Sequence, residues 1–179
     1  MVSLYLYMAL IVATAIERLI EVRVSLRNAQ WSFERGGVEY GAGHYPFMVV
    51  LHTGFLFACI GEAWFLEREF SPLLGYPMLL LAISTQILRW WCINTLGPRW
   101  NTRVIIVPNL PRVTNGPYQY FSHPNYMVVA LEGIALPLIH SAFYTAISFT
   151  ILNALLMVVR LRCENKALSE LATEQQEPS

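Results

Sequence analysis

At 179 residues the chain suits one domain, yet 55% of it is hydrophobic, only 13% is charged, and its mean hydropathy is +0.44. Soluble domains carry about a quarter charged residues, so a core of this size cannot hide the apolar surface and lipid must cover part of it. Zero net charge gives no footing for a nucleic-acid partner, and Cys59, Cys92 and Cys163 form no Cys-x-x-Cys pair, so they read as small apolar packers rather than a disulfide frame or a zinc site.

The first apolar run, Val2 to Ile16, lacks a basic leader and a small-residue cleavage site. It reads as a retained membrane helix. Five spans are expected, at roughly 2–22, 46–66, 73–95, 125–139 and 141–161. The fold class is therefore all-α and integral to the membrane. The last two spans are short and separated only by His140-Ser141, which predicts a tight helical hairpin. As one domain, 1–179 divides into a three-span scaffold (1–95), a loop (96–124), the hairpin with a C-terminal helix (125–172) and a polar tail (173–179).

Basic residues set the orientation. With the N-terminus outside, the cytoplasmic side holds Arg18, Arg23, Arg27, Arg35, Arg89, Arg99, Arg103, Arg112, Arg160, Arg162 and Lys166. The other side holds Arg68 between Glu67 and Glu69. The excess of arginine places the 96–124 loop and the C-terminus in the cytoplasm of a multi-pass protein of the cell membrane.

The first loop, Ser25 to Tyr45, carries four glycines and either covers a site or joins two helices. Trp90 and Trp91 fit an interfacial belt. Val104 to Val107 is a short β-prone run between helices. It must lie outside lipid or inside protein.

Chemistry concentrates in Gly116-Pro117-Tyr118-Gln119-Tyr120-Phe121-Ser122-His123-Pro124-Asn125-Tyr126. Pro124 suits a first helical turn, which puts His123 near the cap. The free N–H groups of such a turn favour an anion. Tyr118, Tyr120, Phe121 and Tyr126 are positioned to enclose a flat ring. By spacing alone, a cofactor mouth and a plain helix start with interfacial aromatics both remain open. Arg160 and Glu164 share a helix face and read either as a site or as an intrahelical ion pair. Glu132 lies in the apolar run 128–138, where an acid is costly. It is either functional or paired with a polar group such as Gln86 or Asn153.

Gly116-Pro117-Tyr118, His123-Pro124-Asn125-Tyr126, a hairpin, and Arg160-x-x-x-Glu164-x-x-x-Leu168 resemble the isoprenylcysteine carboxyl methyltransferase family. Glu34-Arg35-Gly36-Gly37, His44-Tyr45-Pro46-Phe47-Met48, Leu96-Gly97-x-x-Trp100-Asn101-Thr102 and Ala130-Leu131-Glu132 look like a bacterial branch of it. Members of that branch accompany type III polyketide synthases and methylate alkylpyrones or related phenolic lipids.

The resemblance implies S-adenosyl-L-methionine as cofactor and no metal. It implies that Leu110, Pro111, Arg112 and Val113 line the cofactor pocket through their backbone. Tyr118, His123, Pro124, Asn125, Tyr126 and Glu164 would hold the cofactor. Arg160 would sit at the acceptor and the transferred methyl. Apart from the resemblance, Glu132 is a substrate-side candidate because an acid at membrane depth is costly. Two positions depart from the family: Ser122 stands where Arg is usual, and Asn165 where a second acid is common. The expected acceptor is lipid-like, an alkylpyrone or alkylresorcinol first and an isoprenylcysteine carboxylate second. A reductase using NADPH and a non-catalytic membrane scaffold are the readings from other classes.

Overall fold

The computed structural model describes residues 1–174, with side chains through Glu164. Five helices and one small sheet follow in order: α1 (Val2–Phe33), β1 (Val38–Tyr40), α2 (Tyr45–Phe65), α3 (Pro72–Leu96), β2 (Val104–Ile106), α4 (Pro124–Leu138) and α5 (Phe143–Glu174). Short 3-10 turns lie at Ala42–His44, Gly97–Arg99 and Gly116–Gln119.

Among the described residues, four helices are long and apolar enough to cross a bilayer: Val2–Phe33, Ala42–Phe65, Pro72–Arg99 and Phe143–Glu164. The fourth expected span, 125–139, is different. α4 has 15 residues and rises about 22 Å, short of a hydrocarbon layer about 30 Å thick. Apolar side chains such as Leu6, Phe57, Phe65 and Leu80 point outward, as lipid contact requires. The core lies where Tyr7, Ile11, Phe55, Cys59, Ala82, Ala135, Leu136 and Phe149 meet.

One expectation is corrected. The first helix does not end near residue 22 but runs to Phe33, so the loop is shorter than 25–45. Tertiary contact explains this: Ser25, Asn28, Ala29 and Ser32 are buried, and Asn28 donates to the carbonyls of Gly97 and Trp100. The fold is mostly helical, with one small two-stranded sheet. The β-prone run pairs antiparallel with the glycine-rich segment, Val38 against Ile106 and Tyr40 against Val104. Gly36 turns the chain into that strand at φ +74, in the left-handed region that glycine tolerates.

α4 packs between α3 and α5. Gly133 makes this possible, since a Cβ there would come within 2.3 Å of the Phe149 ring. At the far end, Glu62 holds the start of α5: its carboxylate accepts from the Tyr144 and Thr145 amides at 3.1 and 2.6 Å and from Arg68 at 2.9 Å. The polar tail expected at 173–179 lies, beyond Glu174, outside the described residues, as do the side chains of Asn165, Lys166 and Leu168.

Candidate functional site: a cavity from the loop into the helix bundle

Three stretches of sequence meet at one end of the bundle. Gly116 begins the first, at φ +58 against α3, where a Cβ would lie 2.6 Å from Thr95 Oγ1. This close approach buries Pro117 and sets Tyr118 beside α4. His123 then occupies the cap position of α4 and Pro124 its first turn, with the Tyr126 amide donating to the His123 carbonyl at 3.1 Å. Asn125 Nδ2 donates to the Tyr118 hydroxyl at 3.0 Å. Burial pushes the Tyr118 phenol above its ordinary pKa, and the nearby Cys92 and Glu164 act in the same direction.

α5 supplies the opposite wall. The Tyr126 hydroxyl donates to Glu164 Oε2 at 2.8 Å, and His123 Nδ1 stands 4.0 Å from Glu164 Oε1. The His123 and Tyr126 rings lie 5.5 Å apart. No ion pair joins Arg160 to Glu164 among the described residues. Arg160 instead lies over the Tyr126 ring at 5.4 Å, donates to the Thr102 carbonyl at 2.9 Å and meets the Met48 sulfur. A guanidinium held by a carbonyl, a thioether and an aromatic face keeps its positive charge unpaired and fixed in direction.

One cavity of about 700 Å³ runs through this arrangement. Leu110, Pro111, Arg112, Val113, Tyr118, His123, Pro124, Asn125, Tyr126, Glu132, Arg160 and Glu164 all line it. Tyr120 and Phe121 do not; they are 68% and 46% exposed and face away, so the expected aromatic enclosure reduces to Tyr118 and Tyr126. On α5 the lining residues are Phe149, Asn153, Leu156, Met157, Arg160 and Glu164, one face of a helix. From Glu164 to Phe149 that face extends about 22 Å. Its loop end is polar and its inner end is walled by Phe55, Leu136 and Phe149. Lining residues Leu19 of α1 and Val49 of α2 are 65% and 43% exposed, so the cavity also opens sideways toward lipid.

Glu132 sits deeper, six residues along α4 from Tyr126, or about 9 Å. It pairs with Arg89 and, at 3.2 Å, with Arg18. Arg18 also holds Glu21 at 2.6 Å, and Arg89 stands 3.6 Å from Glu21. Two buried acids and two arginines thus close on each other and tie α1, α3 and α4 together. Neither polar partner expected for Glu132 meets it directly: Gln86 binds Arg18 and Glu17, and Asn153 donates to Met157. Trp90 does more than mark an interface, since its Nε1 donates to Glu17.

The first loop braces the site. β2 lines the cavity and β1 lies on β2, with Glu39 held by Arg103 at 3.3 Å and Arg103 over the Tyr45 ring at 5.0 Å. Several lining residues carry no motif of chemical type: Met48, His52, Asn101, Thr102, Arg18, Glu21 and Arg89. Met48, Asn101 and Thr102 fall inside the stretches that carry the family-branch resemblance. Arg18, Glu21 and Arg89 carry a different signal, charge inside an apolar span.

Comparison with known proteins identifies the family. The profile of the isoprenylcysteine carboxyl methyltransferase (ICMT) family matches residues 78–170. The chain is similar to a protein of Bacillus subtilis strain 168 named as uncharacterized protein YpbQ, at 36% identity over 94% of this chain and 100% of that one. It is similar to an uncharacterized protein of Haemophilus influenzae at 27% identity, over 86% of this chain and 90% of that one. No solved structure matches. With three motifs in order, a cavity that gathers them and a profile match over residues 78–170, the chain belongs to the isoprenylcysteine carboxyl methyltransferase family.

Proposed function

We propose that the protein is an integral-membrane O-methyltransferase that uses S-adenosyl-L-methionine and acts on a lipid-like acceptor, a long-chain alkylpyrone or phenolic lipid first. Family membership carries the coarser statement, a membrane methyltransferase. One observation carries the rest: residues from 110–126, 132 and 160–164 line a single cavity that is polar at the loop end, reaches apolar walls at Phe55, Leu136 and Phe149, and includes the paired Glu132, Arg89 and Arg18 in its lining. Its volume of about 700 Å³ lies within the range of about 300–1,000 Å³ usual for small-molecule sites. The arginine asymmetry supports placing the N-terminus outside and the cavity's polar end in the cytoplasm. On this reading α4 and α5 form the membrane hairpin.

The residues fit the cofactor by their donor set. Glu164 spends one oxygen on Tyr126 and keeps the other for a hydroxyl or ammonium group. Tyr118, Asn125 and His123 add neutral polar contacts, and the 110–113 backbone closes the pocket edge. Bound there, S-adenosyl-L-methionine supplies a methyl group on a cationic sulfonium. Arg160 orients an anionic acceptor oxygen, because its guanidinium has no carboxylate partner among the described residues and is fixed by Thr102, Met48 and Tyr126. The apolar inner walls exclude water and receive the alkyl tail, which reaches the cavity through the lateral opening between α1 and α2. A carboxylate on an isoprenylated cysteine presents the same charge and tail, so it is the second acceptor to try.

The test is calorimetric binding of S-adenosyl-L-methionine to detergent-purified protein, wild type beside His123→Ala and Glu164→Ala. Binding by wild type that both variants weaken supports the site. No binding by folded wild type refutes the cofactor assignment. Radiolabelled methyl transfer to an alkylpyrone, an alkylresorcinol and an isoprenylated cysteine then ranks the acceptors.

A further inference from the structure

His52 lines the same cavity, and neither the motifs nor the reading above gives it a role. It lies on α2, one turn beyond Met48, the residue whose sulfur meets Arg160. Its Nδ1 is 2.8 Å from the Met48 carbonyl oxygen. A carbonyl only accepts, so this contact requires the proton on Nδ1 and leaves Nε2 with its lone pair. Nε2 has no protein partner among the described residues. The ring is held a second time by an edge contact with Phe149, centroids 5.3 Å apart at 88°. A histidine fixed in orientation and tautomer, with its basic nitrogen free in a reaction cavity, has the form of a general base.

We propose that His52 is the proton acceptor for a hydroxylic acceptor, which makes an un-ionised phenol the acceptor class this cavity is built for. The inference rests on the methyl-transfer reading. A carboxylate reaches the cavity already ionised and needs no base. A phenol, with an ordinary pKa near 10, arrives protonated at neutral pH. In the step, the phenolic O–H bond breaks and its proton passes to Nε2. The oxygen forms the new O–CH₃ bond while the C–S bond of the methyl donor breaks, leaving its electron pair on sulfur. The imidazolium returns its proton to solvent through the loop end. Charged groups that line the same cavity include Arg89 of α3, Glu132 of α4 and Arg160 of α5.

The experiment compares two acceptors with wild type, His52→Asn and His52→Gln in detergent. The acceptors are a long-chain alkylresorcinol and N-acetyl-S-farnesylcysteine. For the phenol, kcat/KM falls about 100-fold in both variants. The acid limb of its pH profile disappears as well. For the carboxylate, both variants stay within about twofold of wild type. A second readout needs no turnover: in ¹⁵N-histidine spectra without cofactor, alkylresorcinol shifts the Nε2 signal of His52 and the farnesylcysteine does not. Phenol methylation retained in both variants, or equal losses with both acceptors, overturns the role of His52. Wild type that methylates only the carboxylate also overturns it, while methyl transfer stands. Wild type that binds no S-adenosyl-L-methionine removes both.

Discussion

Ser25 ties α1 to the segment that positions Arg160, and removing its hydroxyl should loosen that segment measurably. Ser25 is 3% exposed. Its Oγ donates to Asn101 Oδ1 at 2.7 Å, accepts from the Thr102 amide at 3.0 Å and lies 2.7 Å from the Thr102 hydroxyl. The Thr102 carbonyl is the oxygen that Arg160 holds at 2.9 Å. In Ser25→Ala, Asn101 Oδ1 keeps the Arg103 amide at 3.0 Å and the Thr102 hydroxyl can rotate. The Thr102 amide is left without a partner. An orphaned donor at a largely buried site costs about 1–2 kcal/mol. For a chain of this length that lowers Tm by about 2–8 °C. The assay is thermal unfolding in detergent, with hydrogen exchange at the Thr102 amide as the local readout. Ser84→Ala is the control, since Ser84 is exposed and bonds only its own helix at Leu80. An unchanged Tm together with unchanged protection of the Thr102 amide would refute the idea that Ser25 is a hub.

Two further outcomes follow from other parts of the molecule. Glu132→Ala leaves Arg89 and Arg18 with Glu21 as their one shared acid and an uncompensated positive charge in a buried cluster, so it should destabilise the protein by about 3 kcal/mol; Tm in detergent checks this, and a loss below about 1 kcal/mol would mean that Glu132 is not paired. Burial holds the Tyr118 phenol above its ordinary value of 10.0, so its contribution to stability is full below that pH and is lost as pH rises past it. Wild type should therefore lose stability above about pH 10 more steeply than Tyr118→Phe, read as Tm against pH; parallel curves would remove this assignment.

The sequence by itself determined that lipid surrounds this protein, because apolar side chains outnumber what 179 residues can bury. It singled out the residues that the cavity gathers, because Gly, Pro, His and Tyr crowd into 116–126 and because Arg160 and Glu164 share a helix face. Local rules suffice for such features: Pro124 starts a helix, and a residue four along lies on the same side. It did not determine where α1 ends. Ser25, Asn28 and Ser32 look like loop residues until their burial against residues 97–102 is known, and tertiary contact then outweighs their weak helical preference.

Only the tertiary structure decided what each polar group faces. Arg160 and Glu164 are spaced for an ion pair, yet Glu164 takes Tyr126 and Arg160 takes Thr102 and Met48, partners from 38 to 112 residues away. Glu132 finds two arginines on two other helices. Tyr118 and Tyr126 turn into the cavity while Tyr120 and Phe121 turn out of it, although all four stand within nine residues. His52 looks like any histidine in an apolar run until Met48 is seen to fix one nitrogen and the cavity to expose the other. Hydrogen bonds act over about 3 Å in space, whatever the separation along the chain, and so the site's partners are set by the packing of helices.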